Sequence, residues 1–95
     1  MNSFLVLRAL SNNTTETHFG LVATRRIGNA VVRNKIRRRL KEILREVPVR
    51  DGWDLVFIVR KRSVYCDYDG LSNAVNNLLR RGGLLRVRPI VEPIQ

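Results

Sequence analysis

The sequence predicts an α/β fold in which a small mixed sheet is covered by two helices in a two-layer sandwich. Three observations predict it. Two short β-type runs, "SFLVLRAL" and "HFGLVATR", precede a change of period after Ile27. From there apolar residues recur every three or four positions as far as Val47, and do so again from Leu71 to Leu79, which is the spacing of amphipathic helices. Between the helices stands "WDLVFIVR", apolar on both faces as a central strand must be. The order strand, strand, helix, strand, helix shows no repeat and no low-complexity linker.

Each element has its own warrant. In the first run Leu5, Leu7 and Ala9 point one way and Phe4, Val6, Arg8 and Leu10 the other, which puts Arg8 on the less buried face. The polar stretch "SNNTTET" is turn chemistry, so the first two strands are expected to form an antiparallel pair joined by a loop. Gly20 is expected to mark a bulge or a close backbone approach. The first helix begins near Asn29, an N-cap residue type, and stops before Pro48. Its apolar positions are Val32, Ile36, Leu40, Ile43, Leu44 and Val47. The "VRDG" turn leads to a strand with Trp53, Leu55, Phe57 and Val59 on one face and Val56 and Ile58 on the other. After "CDYDG" the second helix carries Leu71, Ala74, Val75, Leu78 and Leu79. It ends with Arg80 and Arg81 near the negative pole, then Gly82 and Gly83. Pro89 and Pro93 exclude a helix from the last stretch, leaving 84–95 as an edge strand or extended tail.

Length and composition bound the function. At 95 residues and 44% hydrophobic the chain fits a single domain over 1–95. Eighteen Lys and Arg against eight Asp and Glu give a formal charge of +10, which calls for an anionic partner, nucleic acid or acidic membrane. Cys66 and His18 are each the sole residue of their type, so neither an internal disulfide nor a Cys/His zinc cluster can be assembled. That favours a reducing, cytoplasmic setting. No apolar run approaches the roughly 18 residues of a membrane-spanning helix, and "MNSFLVLRAL" lacks the pattern of a secretion signal.

The charge is concentrated in "GNAVVRNKIRRRLKE", residues 28–42. At 100° per residue Asn34, Arg37, Arg38, Lys41 and Arg45 fall on one stripe roughly opposite Ile36 and Leu40. Lys35, Arg39, Glu42 and Glu46 fill one flank, where pairs three or four apart can form, leaving the Arg37, Lys41 and Arg45 row largely unneutralised. An ordinary solvated face pairs its charges; an unpaired row of guanidinium groups suits phosphate oxygens. Asn34 can donate and accept, as a base edge or ribose hydroxyl requires, and serves equally as a surface or capping amide. Membrane binding is the weaker alternative, because the apolar side of this helix is needed to cover the sheet.

Residues that tempt other readings are explained more simply. Asp67 and Asp69 in "DYD" could hold a magnesium ion, but N-capping the second helix accounts for them. His18 reads as a surface or sheet residue, with no second histidine and no nucleophile pattern beside it. Trp53 and Phe57 could stack on a base, but aromatic residues in an apolar strand are usually core.

The run "RRIGNAVVRNKIRRRLKE" strongly resembles the signature of the bacterial ribonuclease P protein component, and the likeness extends through "FGLVATRRIGN", "GWDLVFIVR" and "LSNAVNNLLRR" over about residues 4–81. The resemblance implies a compact α/β fold similar to the second domain of a small-subunit ribosomal protein. The arginine-rich helix would lie in a left-handed crossover between parallel strands, against the usual right-handed rule. It implies the protein subunit of a ribonucleoprotein that removes the 5′ leader from precursor tRNA. The catalytic centre and its magnesium ions would belong to the RNA, with no catalytic or metal-binding residue here.

Site residues follow from the match. Arg33, Asn34 and Lys35 occupy the family's Arg-Asn-Arg signature with lysine for the second arginine, which keeps the charge but loses the planar fork. Arg37, Arg38 and Lys41 match the basic positions that follow, and Arg25 and Arg26 the basic pair before "IGN". Arg45 continues the row. A cleft for the 5′ leader is expected along the sheet face bearing Phe4, Val6 and Arg8, with Arg8 where an aromatic is common. The family's basic N-terminal helix, one wall of that cleft, has no counterpart before the first strand of this sequence. The implied partners are ribonuclease P RNA and precursor tRNA, in a 1:1 assembly with a monomeric protein. The alternative class is a noncatalytic, ribosomal-protein-like RNA-binding or DNA-binding module, which net charge alone does not separate from this reading.

Overall fold

A computed structural model of the chain describes residues 2 and 4–85. Its elements are β1 (Leu5–Ser11), β2 (His18–Val22), α1 (Ala30–Glu46), β3 (Trp53–Val59) and α2 (Tyr68–Arg81), with short 3₁₀ helices at Arg25–Ile27 and Lys61–Tyr65.

The three strands form one sheet in the order β1-β3-β2. The doubly apolar β3 is central, and its faces explain why: flanked on both edges, it buries Leu55, Phe57 and Val59 to 5% exposure or less. The expected antiparallel pairing of β1 with β2 is not formed. β1 pairs antiparallel with β3, from Leu5 opposite Val59 to Ser11 opposite Trp53. β2 pairs with β3 in parallel, from His18 opposite Asp54 to Val22 opposite Ile58. The "SNNTTET" segment carries the chain across the start of β3 instead of folding a hairpin. Asn12 N donates to Gly52 O at 2.9 Å and Thr17 Oγ1 to Arg50 O at 2.6 Å, so the polar loop satisfies itself on β3's entry. Parallel strands need a long crossover connection, which α1 supplies between β2 and β3. Gly20 sits opposite Val56 in unbroken register, without a bulge.

Leu5, Leu7 and Ala9 share a face with Phe57, Leu55, Phe19 and Leu21, and the core lies on this side. Leu5 and Phe57 pack there with Ile36, Leu40, Ile43 and Leu44 of α1 and Leu71, Val75, Leu78 and Leu79 of α2. The opposite face carries Val6, Arg8, Val56, Ile58, Gly20 and Val22, with Arg8 and Val22 exposed. Phe4 does not belong to it. Residue 4 lies in a bend before the strand, its N–H bonded to Asn2 Oδ1 at 3.0 Å, so the alternation of β1 does not reach it. Its ring packs against the core beside Ala74 and Asn77 of α2.

Helix α2 ends in a Schellman motif: Gly83 adopts φ 68°, its N–H bonds Arg80 O at 3.1 Å, and Leu84 N bonds Leu79 O at 2.8 Å. Leu84 is thereby folded under the helix at 3% exposure, and Leu85, partly buried against the core, forms an isolated antiparallel bridge with Val49, as the edge-strand alternative for this stretch allows. The rest of the expected tail, 86–95, lies outside the described residues.

Candidate nucleic-acid interface

The cationic surface is set by how α1 starts. Gly28 has φ 151° and ψ −166°, a region open essentially to glycine alone, and a Cβ there would stand 3.2 Å from the Val32 side chain. The turn it permits places Asn29 as N-cap, Oδ1 accepting from Val32 N at 3.0 Å. With the first turn fixed, the azimuth of every later residue follows. Ile36, Leu40, Ile43 and Leu44 go inward, and Asn34, Lys35, Arg38, Lys41 and Arg45 stand exposed. Arg25 and Arg26 are exposed on the 3₁₀ turn just before α1.

Two arginines leave the outer surface. Arg37 is half-buried on the flank facing β2, where Nη2 donates to Ala23 O at 3.4 Å. Arg39, expected to pair with acids on its flank, turns the other way and donates from Nη1 to Cys66 O at 3.0 Å. A carbonyl at fixed distance on a packed 3₁₀ turn wins over a flexible exposed carboxylate, which pays side-chain entropy to hold a pair in water. Among the described residues Glu42 and Glu46 pair with no Lys or Arg. The α1 row therefore carries its charge unneutralised by carboxylates. Arg33 is half-buried near the start of the helix.

The exposed Arg25–Arg26 pair lies on the turn that leads into α1, adjoining the start of the helix that carries the cationic row. The structure does not join Val6 and Arg8 to them, since those two lie on the sheet face that the helices leave open. Sequence reasoning missed Phe19 and Leu21. With Leu44 they form an apolar floor beside Arg37, Lys41 and Arg45, enclosing about 400 Å³ between β2 and α1. Alternation along β2 gives their shared face, but only the parallel pairing of β2 with β3 puts that face beneath the helix.

The remaining polar groups have local roles. Asp67 Oδ1 accepts from Gly70 N at 2.8 Å, capping α2. His18 Nδ1 lies 3.1 Å from Asp54 Oδ1, and Asn12 Nδ2 donates to the same oxygen at 2.9 Å. The Asn12 hydrogen bond, then that of His18, hold the Asp54 carboxyl below its ordinary value. Burial, then Asp67, push the Cys66 thiol up, against a weaker pull from Arg62. Among the described residues no group of three or more His, Cys, Asp and Glu is placed to hold a metal ion, and no helix is long and apolar enough to cross a membrane.

A mixed three-stranded sheet, two helices on one face and an unneutralised cationic helix define a small basic α/β protein of the kind that meets a polyanion. Comparison with known proteins narrows the class. The family model described as Ribonuclease P matches residues 1–83. The ribonuclease P protein component of Clostridium kluyveri is 37% identical over 89 residues, covering 90% of this chain and 80% of that protein. That of Thermoanaerobacter sp. is 32% identical over 82 residues, covering 84% and 71%. The RNase P protein structure from Thermotoga maritima superposes with a TM-score of 0.76 at 30% identity, over 85% of this chain and 79% of that one. One from Staphylococcus aureus reaches 0.80 at 21% identity, over 90% and 81%, a likeness of fold. The chain belongs to the ribonuclease P protein family.

Proposed function

We propose that this chain is the RNA-binding protein subunit of ribonuclease P, holding the enzyme's RNA against the exposed row of α1 and promoting removal of the 5′ leader from precursor tRNA. The observation that carries the reading is that Asn34, Arg38, Lys41 and Arg45 stand exposed, with no carboxylate partner among the described residues, on the segment that bears the family signature. Fixed cations at helical spacing bind phosphate whatever the sequence, which suits a subunit whose partner RNA supplies the recognition and the chemistry. Magnesium ions are assigned to the RNA, where they would stabilise the developing charge of phosphodiester hydrolysis. This chain's tempting acid, Asp67, is engaged as a helix cap.

The open sheet face with Val6 and Arg8 is the proposed path of the leader, Arg8 meeting phosphate beside the apolar Val56 and Ile58. The protein acts as a monomer in a 1:1 cytoplasmic ribonucleoprotein. The test is cleavage of a precursor tRNA at low magnesium by the cognate RNA alone, the protein alone and the mixture. Stimulation only in the mixture is expected. A mixture no faster than RNA alone would refute the reading; if the protein still bound that RNA, the noncatalytic binding module would replace it.

A further inference from the structure

We infer that the groove between β2 and α1 receives an unpaired nucleobase of single-stranded RNA, its ring stacked on Phe19 and its neighbouring phosphates held by Arg37, Lys41 and Arg45. The inference rests on the proposed RNA-binding function and adds what that function does not require, a place for a base.

The groove is apolar below and cationic above. Phe19, Leu21 and Leu44 form the floor, and the three cations line the rim. Its volume of about 400 Å³ falls within the range of small-ligand sites, roughly 300 to 1,000 Å³. Phe19 points to the same side as fully buried Leu55, its register partner, yet remains 42% exposed, because β2 is the edge strand among the described residues. An accessible aromatic ring beside a line of cations is the combination that single-strand binders use, because every base offers a π-face and every linkage a phosphate. The cations run along the groove: four residues apart on α1, each stands about 6 Å beyond the last. Arg37 is held over β2 by its bond to Ala23 O, which leaves its other N–H donors for phosphate. In a duplex the bases are stacked inside, so only an unpaired strand can place one on Phe19.

The test uses the full chain and its Phe19→Ala, Phe19→Leu and Phe19→Trp variants, titrated at one salt concentration against a labelled single-stranded oligoadenylate and a duplex RNA of equal length. Phe19→Leu keeps the apolar floor and removes only the aromatic face, so it separates stacking from folding. Phe19→Ala and Phe19→Leu are expected to lose about tenfold in affinity for the oligoadenylate, within the worth of one stacked base, and less than about twofold for the duplex. Phe19→Trp is expected to bind both as the parent does. Unchanged oligoadenylate binding in the Ala and Leu variants, or equal losses on both probes, would overturn the base site while leaving phosphate binding by α1 intact. Failure of the parent chain to bind either probe would overturn the RNA-binding function itself.

Discussion

Arg37 and Ala23 are joined across 3.4 Å by a hydrogen bond from the guanidinium to a backbone carbonyl, tying α1 to the exit of the strand that precedes it. Arg39, two residues on, makes the equivalent tie to Cys66 O on the opposite side at 3.0 Å. Between them Arg38 stands exposed on the outer surface, with no hydrogen-bond or ion-pair partner among the described residues.

The three arginines should therefore separate by experiment. Arg38→Ala is expected to weaken binding to ribonuclease P RNA and to lower the slope of log K against log salt by about one unit, the share of one phosphate contact. Arg37→Ala is expected to do the same. Arg39→Ala is expected to leave the slope unchanged and to cost stability of about 1 kcal/mol through the lost bond to Cys66 O. Salt titrations of the three variants decide the matter; equal slopes in the Arg38 and Arg37 variants and the parent would remove α1 from the interface.

The buried side of the same helix gives a different response. Leu40 is fully buried and Ile36 is 3% exposed, so either residue changed to Ala should lower unfolding free energy by about 2 to 5 kcal/mol. Denaturant unfolding checks this, and a loss below about 1 kcal/mol would mean that the helix does not seat those residues in the core.

At the helix start, Asn29→Ala should cost about 1 kcal/mol by leaving the Val32 N–H without its cap. Gly28→Ala should cost about 1 to 3 kcal/mol, because alanine at φ 151° is strained and its Cβ crowds Val32. Thermal unfolding of both variants would show the larger loss at Gly28.

Much of this was legible in the sequence. The Asn29 cap, the inward face of α1, the central place of β3 and the Asp67 cap all follow from local rules: periodicity, residue type at helix ends and apolarity on two faces. What was not legible is non-local. The pairing of β1 and β2 depends on which strand gains most by being flanked, and a polar loop of hairpin character gives no hint that it will dock on β3 instead. The Arg39 bond to Cys66 and the meeting of Phe19 with α1 are set by the same tertiary arrangement. Phe4 fell to the other side because strand alternation was carried one residue past the strand's true start.

The Asn12, His18 and Asp54 cluster predicts a pH dependence at the β2 entry. Asp54 is held below its ordinary value of 3.8, first by Asn12 and then by His18. A depressed carboxylate contributes stability that is complete above its unfolded value and is lost as pH falls through the folded one. Asn12→Ala should move the Asp54 titration upward toward 3.8, as read by NMR of the carboxyl carbon. An unshifted midpoint would mean that the hydrogen bond at 2.9 Å does not persist in solution.

The strand order also governs how the molecule is made. Each ladder of the sheet joins residues far apart along the chain: every β2–β3 pair, from His18 with Asp54 to Val22 with Ile58, has the same wide separation, and the β1–β3 pairs lie farther apart still. No strand can find its neighbour until α1 and the loops around it have been closed, and that closure entropy is spent before any strand pairing repays it. The same α1 that presents the arginines is the longer of the two helices and can form early from local contacts alone. Core substitutions at Ile36 and Leu40 should therefore slow refolding as well as hasten unfolding, making the RNA-facing helix the scaffold on which the sheet condenses.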